Sequence, residues 1–342
     1  MAKFALSVVI PTNNRSRNLH LLLESLNSQQ QVPFKWEILV IDNGSKDNTK
    51  EVINEFSQKI LIPIRYIYED KPGLHFARHR GATEATGEIV AYLDDDTVLA
   101  SDWISGAQLI LSNKADAVVS RILPQWETPP PVWLIRLYDK GVFGLLTLLD
   151  MGETPKKIDP SYVWGASFFI RRSLILDLGG FNPDGLPPEL IRFRGDGESG
   201  FFRKFKKKGY SAWYYPQSIA YHCISEERMT MEYLCKRSFN QGISDSFTQI
   251  RKISGSGKNK NGKLINWLTG YPKVQIIIIK GYILASKVYN KIKKTTSLDR
   301  DTTDLIAERL KKSYWDGWNY HQSELVKDVE LMKYVLREHY FD

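Results

Sequence analysis

The chain is poor in cysteine. Only Cys223 and Cys235 occur among its 342 residues, with no Cys-x-x-Cys pair. That excludes a disulfide framework and fits a reducing compartment. Nor is there a run of roughly 20 uninterrupted apolar residues, the length a membrane-spanning helix needs. The apolar run at the amino end is cut by Pro11 and by Asn13-Asn14, and no small-residue cleavage site follows. A first strand is expected there, not a secretion signal. Internal repeats are also missing.

What is present is ordinary globular material with a basic bias. Hydrophobic residues make up 42% and charged residues 25%, enough for a sizeable core and too apolar for wholesale disorder. The net charge of +8 suits anionic partners such as nucleic acid, acidic lipid or a diphosphate. The excess gathers late, around residues 204–208 and 291–294, where a solvated face is the plain alternative. Nine Trp and 17 Tyr offer flat apolar rings with polar tips, suited to stacking on sugars or to simple core packing.

The first hundred residues alternate strand-like and helix-like patterns. Residues 4–10 are an apolar run closed by Pro11. Leu19, Leu22, Leu23 and Leu26 recur at helical spacing. Residues 36–41 predict a second strand, ended by the turn cluster Asp42-Asn43-Gly44-Ser45. A helix over 47–56, a strand over 64–68, a helix over 76–86 and a strand over 89–93 follow. Such alternation predicts an α/β fold, Rossmann-like, with a mostly parallel sheet flanked by helices. Ligands then bind at the carboxyl ends of the strands. Beyond these, residues 103–111 and 198–208 predict helices, 174–178 a short one, and 117–123, 164–170 and 210–215 strands. The Pro-rich stretch 124–131 reads as a surface loop and 179–188 as a turn-rich one. Residues 138–160 give no clear pattern. From about Thr230 onward the chain reads as helical, broken over 254–263.

Asp94-Asp95-Asp96 is the strongest single feature. Three adjacent carboxylates raise one another's pKa unless a cation offsets them. Mg2+ and Mn2+ take oxygen ligands, often one or two carboxylates completed by substrate phosphates. If the strand continues through the cluster, Asp94 and Asp96 point one way and Asp95 the other. An acidic turn or a helix N-cap is the alternative.

The surroundings of the cluster carry a resemblance. Ser7-Val8-Val9-Ile10-Pro11-Thr12-Asn13-Asn14 resembles the opening strand of family 2 glycosyltransferases, inverting enzymes of the GT-A fold. The run from Ile38 to Thr49 through Asp42-Asn43-Gly44-Ser45 resembles their second strand, whose Asp reads the nucleobase. Pro72-Gly73, Ala77-Arg78, Gly81 and Ala85-Thr86-Gly87-Glu88 resemble the helix leading into the Asp-x-Asp strand. The likeness spans roughly residues 4–240. It implies nucleotide binding by Pro11, Thr12, Asn14, Asp42, Arg78, Asp94 and Asp95, and a divalent metal, Mn2+ or Mg2+, at Asp96 and His222. The pair Tyr221-His222 resembles the family's strand that ends in His; a structural role is the alternative. His79 stands where the family often has Asn, and reads as a helix-surface residue.

Trp164-Gly165-Ala166-Ser167 resembles the acceptor-side strand, with Trp164 and Gly165 as acceptor-binding residues; relatives often carry Asn at the position of Ser167. Gly179-Gly180-Phe181-Asn182 resembles the turn that follows. Arg194-Gly195-Asp196-Gly197-Glu198-Ser199 occupies the place of an acidic pair ahead of a helix. An inverting transfer needs a carboxylate to take the acceptor's proton, so Asp196 or Glu198 is the expected base; Gly197 between them leaves the register open. Arg228, Thr230, Tyr233-Leu234, Arg237 and Gly242 resemble a helix that follows the catalytic domain in some bacterial members.

The resemblance implies a catalytic domain over 1–228 and a helical region over 229–342. It implies a nucleotide-diphosphate sugar as donor, UDP-linked first of all, and a glycan or lipid-linked acceptor. The apolar stretch 274–284, ringed by lysines, reads either as a basic amphipathic helix on an anionic membrane or as a buried helix. The expected place is the cytoplasm, with peripheral contact at the inner membrane face. Two other classes compete with this reading. A sugar nucleotidyltransferase usually has a Gly-rich phosphate loop after its first strand, and residues 11–17 lack glycine. A non-catalytic glycan-binding protein leaves the acidic cluster without a task, and an acidic strand end argues against a nucleic-acid surface.

Overall fold

The computed structural model describes residues 4–139, 144–256 and 302–341. The stretch 274–284 lies outside them. Nine strands form one sheet: β1 (Phe4–Thr12), β2 (Trp36–Asp42), β3 (Ile64–Tyr68), β4 (Gly87–Leu93), β5 (Thr97–Leu99), β6 (Ala117–Trp126), β7 (Lys156–Ile158), β8 (Ser167–Arg171) and β9 (Ala212–Ile224). Their order is β3-β2-β1-β4-β8-β6-β9-β5, with β7 also on β9. The half built from β3, β2, β1 and β4 is parallel; β8 runs antiparallel to β4 and β6, and β6 and β9 pair in parallel. The chain leaves β1 for β2 on one side and returns to β4 on the other. That reversal opens a crevice at the carboxyl ends of β1 and β4.

Both faces of the sheet are covered, which is why β1 reads as continuously apolar. Leu6, Val8 and Ile10 join one core with Leu19, Leu22, Leu23 and Leu26 of α1 (Ser16–Asn27), while Val9 faces the other. That second core holds the aromatic group Tyr92, Phe168, Phe181, Phe201, Phe202 and Phe205. α2 (Thr49–Ser57), α3 (Leu74–Glu84), α4 (Gly106–Leu111), α5 (Val132–Asp139), α6 (Arg172–Asp177) and α7 (Gly197–Lys207) complete the layers. α3 lies directly on β1: a Cβ on Gly81 would overlap the Val9 side chain.

The carboxyl-terminal part is helical. α8 (Met231–Ser256) packs on α9 (Thr302–Lys327), followed by α10 (Val329–Val335). Gly242 and Gly317 let the two long helices touch backbone to backbone, because a Cβ on either would strike the carbonyl of Tyr314 or Phe239. The end of the chain then returns to α3, where Phe341 stacks on His79 at 4.3 Å. Among the described residues no helix is long and apolar enough to cross a membrane.

Two expectations are corrected. β6 continues through Pro124 to Trp126, in register with His222 and Ile224 of β9, so the surface loop starts later than residue 124. β8 flanks β6 only over Ala117, Val118 and Val119, so Pro124 sits where that edge has been left open and a missing N–H is tolerated. His79 is not a surface residue. It is 3% exposed, and its Nε2 accepts the Phe181 amide at 2.8 Å.

Three buried imidazoles give the fold a pH dependence. Burial holds His75 and His321 down to about 4 and His79 down to about 3. In the unfolded chain each titrates near 6.5. Below about pH 6.5 the unfolded state therefore takes up protons that the folded state refuses, and stability falls with pH until the folded values are passed. Each group withdraws up to about 3 kcal/mol over that window. Thermal melts should show a midpoint falling steadily from pH 6.5 to 4; a flat profile from pH 7 to 5 would contradict neutral burial.

Candidate active site

Three strand ends build the site. Thr12 closes β1, and its Oγ1 donates to Asp95 Oδ2 at 2.8 Å. Pro11 precedes it in register with Ile41. Asn14, at φ 54°, turns the chain away from the sheet; its amide donates to Ser45 Oγ and its Oδ1 accepts from the Lys46 amide. It thereby fastens the loop after β1 to the loop after β2. Asp42 ends β2 buried, with one oxygen accepting the Ser45 amide and the other the Tyr66 hydroxyl, both at 2.8 Å. Burial, together with that bond to Asp42, pushes the Tyr66 phenol up to about 12, so it is a donor throughout the neutral range.

β4 stops at Leu93, so the three aspartates lie in a turn and do not alternate as a strand would. Asp94 faces Arg78 at 3.5 Å. Asp95 and Asp96, expected on opposite sides, are both buried and both held by Arg15. Burial, with Asp96 and Asp94 beside it, pushes Asp95 up to about 7. Asp96 goes the other way: burial opposes its charge, but the guanidinium groups of Arg228 and Arg15 hold it well below the usual carboxylate range. His222 comes from β9, its Nε2 3.2 Å from Asp96 Oδ1. The Cys223 amide donates to the Asp96 carbonyl at 2.8 Å and locks strand to turn.

Arg78 links this acidic corner to Glu198 and Gly165. Its guanidinium is buried, 3.2 Å from Glu198 Oε2 and 3.4 Å from the Gly165 carbonyl, as well as close to Asp94. Glu198 lies in the first turn of α7, and burial pushes its carboxyl up. Asp196, two residues earlier, is used up: Asn182 and Thr248 each donate to it at 2.6 Å, and Arg203 pairs with it. Trp164 stands half-buried beside Gly144. Ser167, at the expected acceptor strand, points into the core instead. There the Trp103 indole, Ser167, Ser120 and Ser218 close a buried ring of hydrogen bonds back onto the Trp103 carbonyl.

Pro11, Thr12, Asp94, Asp95 and Asp96 line a single cleft of ≈ 310 Å³, with Arg15 and Arg228 as its cationic wall. Arg78 and His222 each touch a lining aspartate, and Glu198 and Gly165 sit behind Arg78. Trp164 and Asp196 are not on that cleft.

Residues 7–179, half of the chain, match the model of Glycosyl transferase family 2. The chain belongs to this family. It is 28% identical over 217 residues to Glycosyltransferase AglE of Haloferax volcanii, covering 63% of this chain and 66% of that one. It is 24% identical to the Glucosyl-dolichyl phosphate glucuronosyltransferase of the same organism, covering 70% and 75%. The mannosyltransferase PcManGT of Pyrobaculum calidifontis, solved with GDP-Man and Mn2+, superposes with a TM-score of 0.51 over 97% of this chain and 86% of that one at 15% identity, which places the two in one GT-A fold. The protein is a glycosyltransferase.

The donors present in this glycosyltransferase can be tested against a divalent metal. Among the described residues no three His, Cys, Asp or Glu side chains gather as a metal cluster. Asp96 and His222 do face each other. His222 Nδ1 lies 2.8 Å from the Leu146 carbonyl and must donate there, which leaves Nε2 with a lone pair. Asp96 Oδ1 is buried without any donor. Two facing lone pairs, one oxygen and one imidazole nitrogen, fit an ion whose remaining ligands are diphosphate oxygens and water.

Arg15, Arg228 and Tyr66 did not emerge from the sequence as site residues of the transferase. Arg15 had a signal, since it follows Asn14 at the carboxyl end of β1, where the rule for parallel sheets applies equally. Tyr66 had none, because only the sheet register brings it beside Asp42.

Gly165 offers a test of how tightly Arg78 is held. A Cβ there would overlap Arg78 Nη2 and come within 3.2 Å of Glu198 Oε1. Gly165→Ala is expected to lower kcat/KM about 10- to 100-fold through misplacement of these groups, with little change in melting temperature. Unchanged kinetics would show that Arg78 has slack.

Proposed function

We propose that the protein is an inverting transferase that moves a sugar from a nucleoside-diphosphate donor, a UDP-sugar first of all, to a hydroxyl of a glycan or lipid-linked acceptor. The observation that carries this is the cleft at the ends of β1 and β4, where Asp95 and Asp96 meet Arg15 and Arg228 while Arg78 ties Asp94 to Glu198. Asp42 accepts from the nucleobase. Each of its oxygens accepts one bond, from Ser45 or Tyr66, and keeps a lone pair that the ring N–H of uracil or guanine can fill, where cytosine offers only its exocyclic amine. Pro11, Thr12 and Asn14 shape the floor below the nucleoside, and Asp94 and Asp95 face the ribose and diphosphate.

Glu198 serves as the base. Asp196 lies off the cleft with both oxygens engaged by Asn182, Thr248 and Arg203, whereas Glu198 is partly open and its carboxyl is raised by burial, which strengthens it as a base. As the acceptor oxygen bonds to the anomeric carbon, its proton passes to Glu198. The bond from that carbon to the diphosphate oxygen breaks on the opposite side, and the anomeric configuration inverts. Arg78, Arg15 and Arg228 offset the charge that grows on the departing diphosphate. A Mn2+ or Mg2+ ion held by Asp96 and His222 would supply Lewis-acid stabilisation of that leaving group.

Trp164 and Gly165 form the acceptor side. The acceptor in the name of the second Haloferax relative is a dolichyl-phosphate-linked sugar, which supports a lipid-linked acceptor and peripheral contact with a membrane. The test is calorimetric titration of UDP, GDP and CDP with and without Mn2+. Metal-dependent binding of UDP or GDP, and none of CDP, supports the reading. No binding of any nucleotide sinks it.

A further inference from the structure

Between Asp96 and His222, where the metal is expected, the structure places a guanidinium. Arg228 Nη2 lies 2.5 Å from Asp96 Oδ2, and Nη1 lies 2.8 Å from His222 Nε2. The one lone pair His222 could offer an ion is therefore taken by an arginine N–H. A divalent ion and this guanidinium cannot share that nitrogen, and their charges repel at such range.

We propose that Arg228 is a resident counter-ion that excludes the metal from the free enzyme and moves to the donor's diphosphate, so that metal and nucleoside diphosphate enter together. The inference rests on the nucleotide–metal reading given above and adds the residue that couples the two ligands. Asp95 and Asp96 are 7% and 4% exposed, and two adjacent buried carboxylates need cations at all times. Arg15 and Arg228 meet that need without metal. The orphaned Asp96 Oδ1 shows that they meet it incompletely, leaving one ligand atom ready for the ion.

Arg228 is also placed to leave. It sits on the short turn Glu226–Met229 between β9 and α8, lines the cleft, and lies over the Tyr233 ring at 5.9 Å. A diphosphate in that cleft offers the planar, two-pronged partner that guanidinium prefers. Once Arg228 turns to it, Nε2 is free beside the unpartnered Oδ1, while Oδ2 keeps only Arg15. Each ligand then favours the other, and the coupling is reciprocal.

The experiment is Mn2+ binding followed by electron paramagnetic resonance on the full chain, with Mn2+ alone and with UDP. Wild type is expected to bind Mn2+ weakly alone and at least about tenfold more tightly with UDP. Arg228→Ala should bind Mn2+ alone about tenfold more tightly than wild type, lose most of the UDP coupling, and bind UDP more weakly. Arg228→Lys keeps the charge but cannot bridge His222 and Asp96, and should fall between. It carries the test if the alanine variant fails to fold. In the absence of UDP, Mn2+ should raise the melting temperature of the variants and leave that of wild type unmoved. The proposal is overturned if wild type binds Mn2+ with UDP while neither variant gains affinity for Mn2+ alone. If no protein binds Mn2+ even with UDP, both the proposal and the metal reading beneath it are wrong.

Discussion

Glu198→Gln is expected to lower kcat by about 10²- to 10⁴-fold, the usual contribution of a general base, while UDP affinity and melting temperature stay near wild type. Gln keeps the volume of Glu198 and an oxygen that can still accept from Arg78 at the same place. It loses the ability to take a proton and the charge paired with Arg78, which keeps Asp94 as a counter-ion. In wild type, kcat should fall as the medium is acidified, with the decline starting above the ordinary range of a glutamate, because burial raises the Glu198 carboxyl. The variant should show no such limb. Asp196→Asn is the informative partner: removing its charge leaves Arg203 without an ion pair and disturbs the bonds from Asn182 and Thr248, so stability should drop. If Asp196→Asn were inactive yet fully stable, and Glu198→Gln active, the assignment of the base would be reversed.

Asp96→Asn should cost the enzyme its metal-assisted nucleotide binding. Asp96 is met by Arg15, Arg228 and His222 at once, and it supplies the single buried orphan oxygen among the three aspartates. An amide ligates Mn2+ poorly and cannot balance two guanidinium groups. UDP affinity in the presence of Mn2+ is expected to fall at least about 100-fold, in line with loss of a charged ligand at a buried site, whereas affinity without metal should change far less. Calorimetry with and without Mn2+ separates the two. An equal loss in both conditions would mean that Asp96 orders the arginines and does not bind metal.

The parallel half of the sheet was legible because each strand is buried on both faces and each helix shows its stripe. Residues 64–68 were bounded to the residue, and the four leucines of α1 point where their spacing says. The orientation of Asp94-Asp95-Asp96 was not legible. Nothing local marks where β4 stops, and the residues that set the aspartates, Arg15 and Arg228, lie 81 and 132 positions from Asp96. The choice between Asp196 and Glu198 depends on Thr248, 52 residues downstream of Asp196, and so escapes any reading of the motif alone. His79 was misplaced for a related reason. α3 is covered on one side by the sheet and on another by the returning end of the chain, so no clean polar face identifies its exposed side.

The bracing of the Gly195–Glu198 turn by α8 bears on when the enzyme first becomes competent during its synthesis. Ser244 donates to the Gly195 carbonyl, Thr248 to Asp196, and Phe247 packs against Gly195. Asp42, Asp96 and His222 all precede α8, so a nascent chain can assemble the cleft at the ends of β1 and β4 first. The turn that aims Glu198 settles only after α8 has emerged and closed on it. On the proposed mechanism, half-made protein would hold a donor before Glu198 is aimed to spend it.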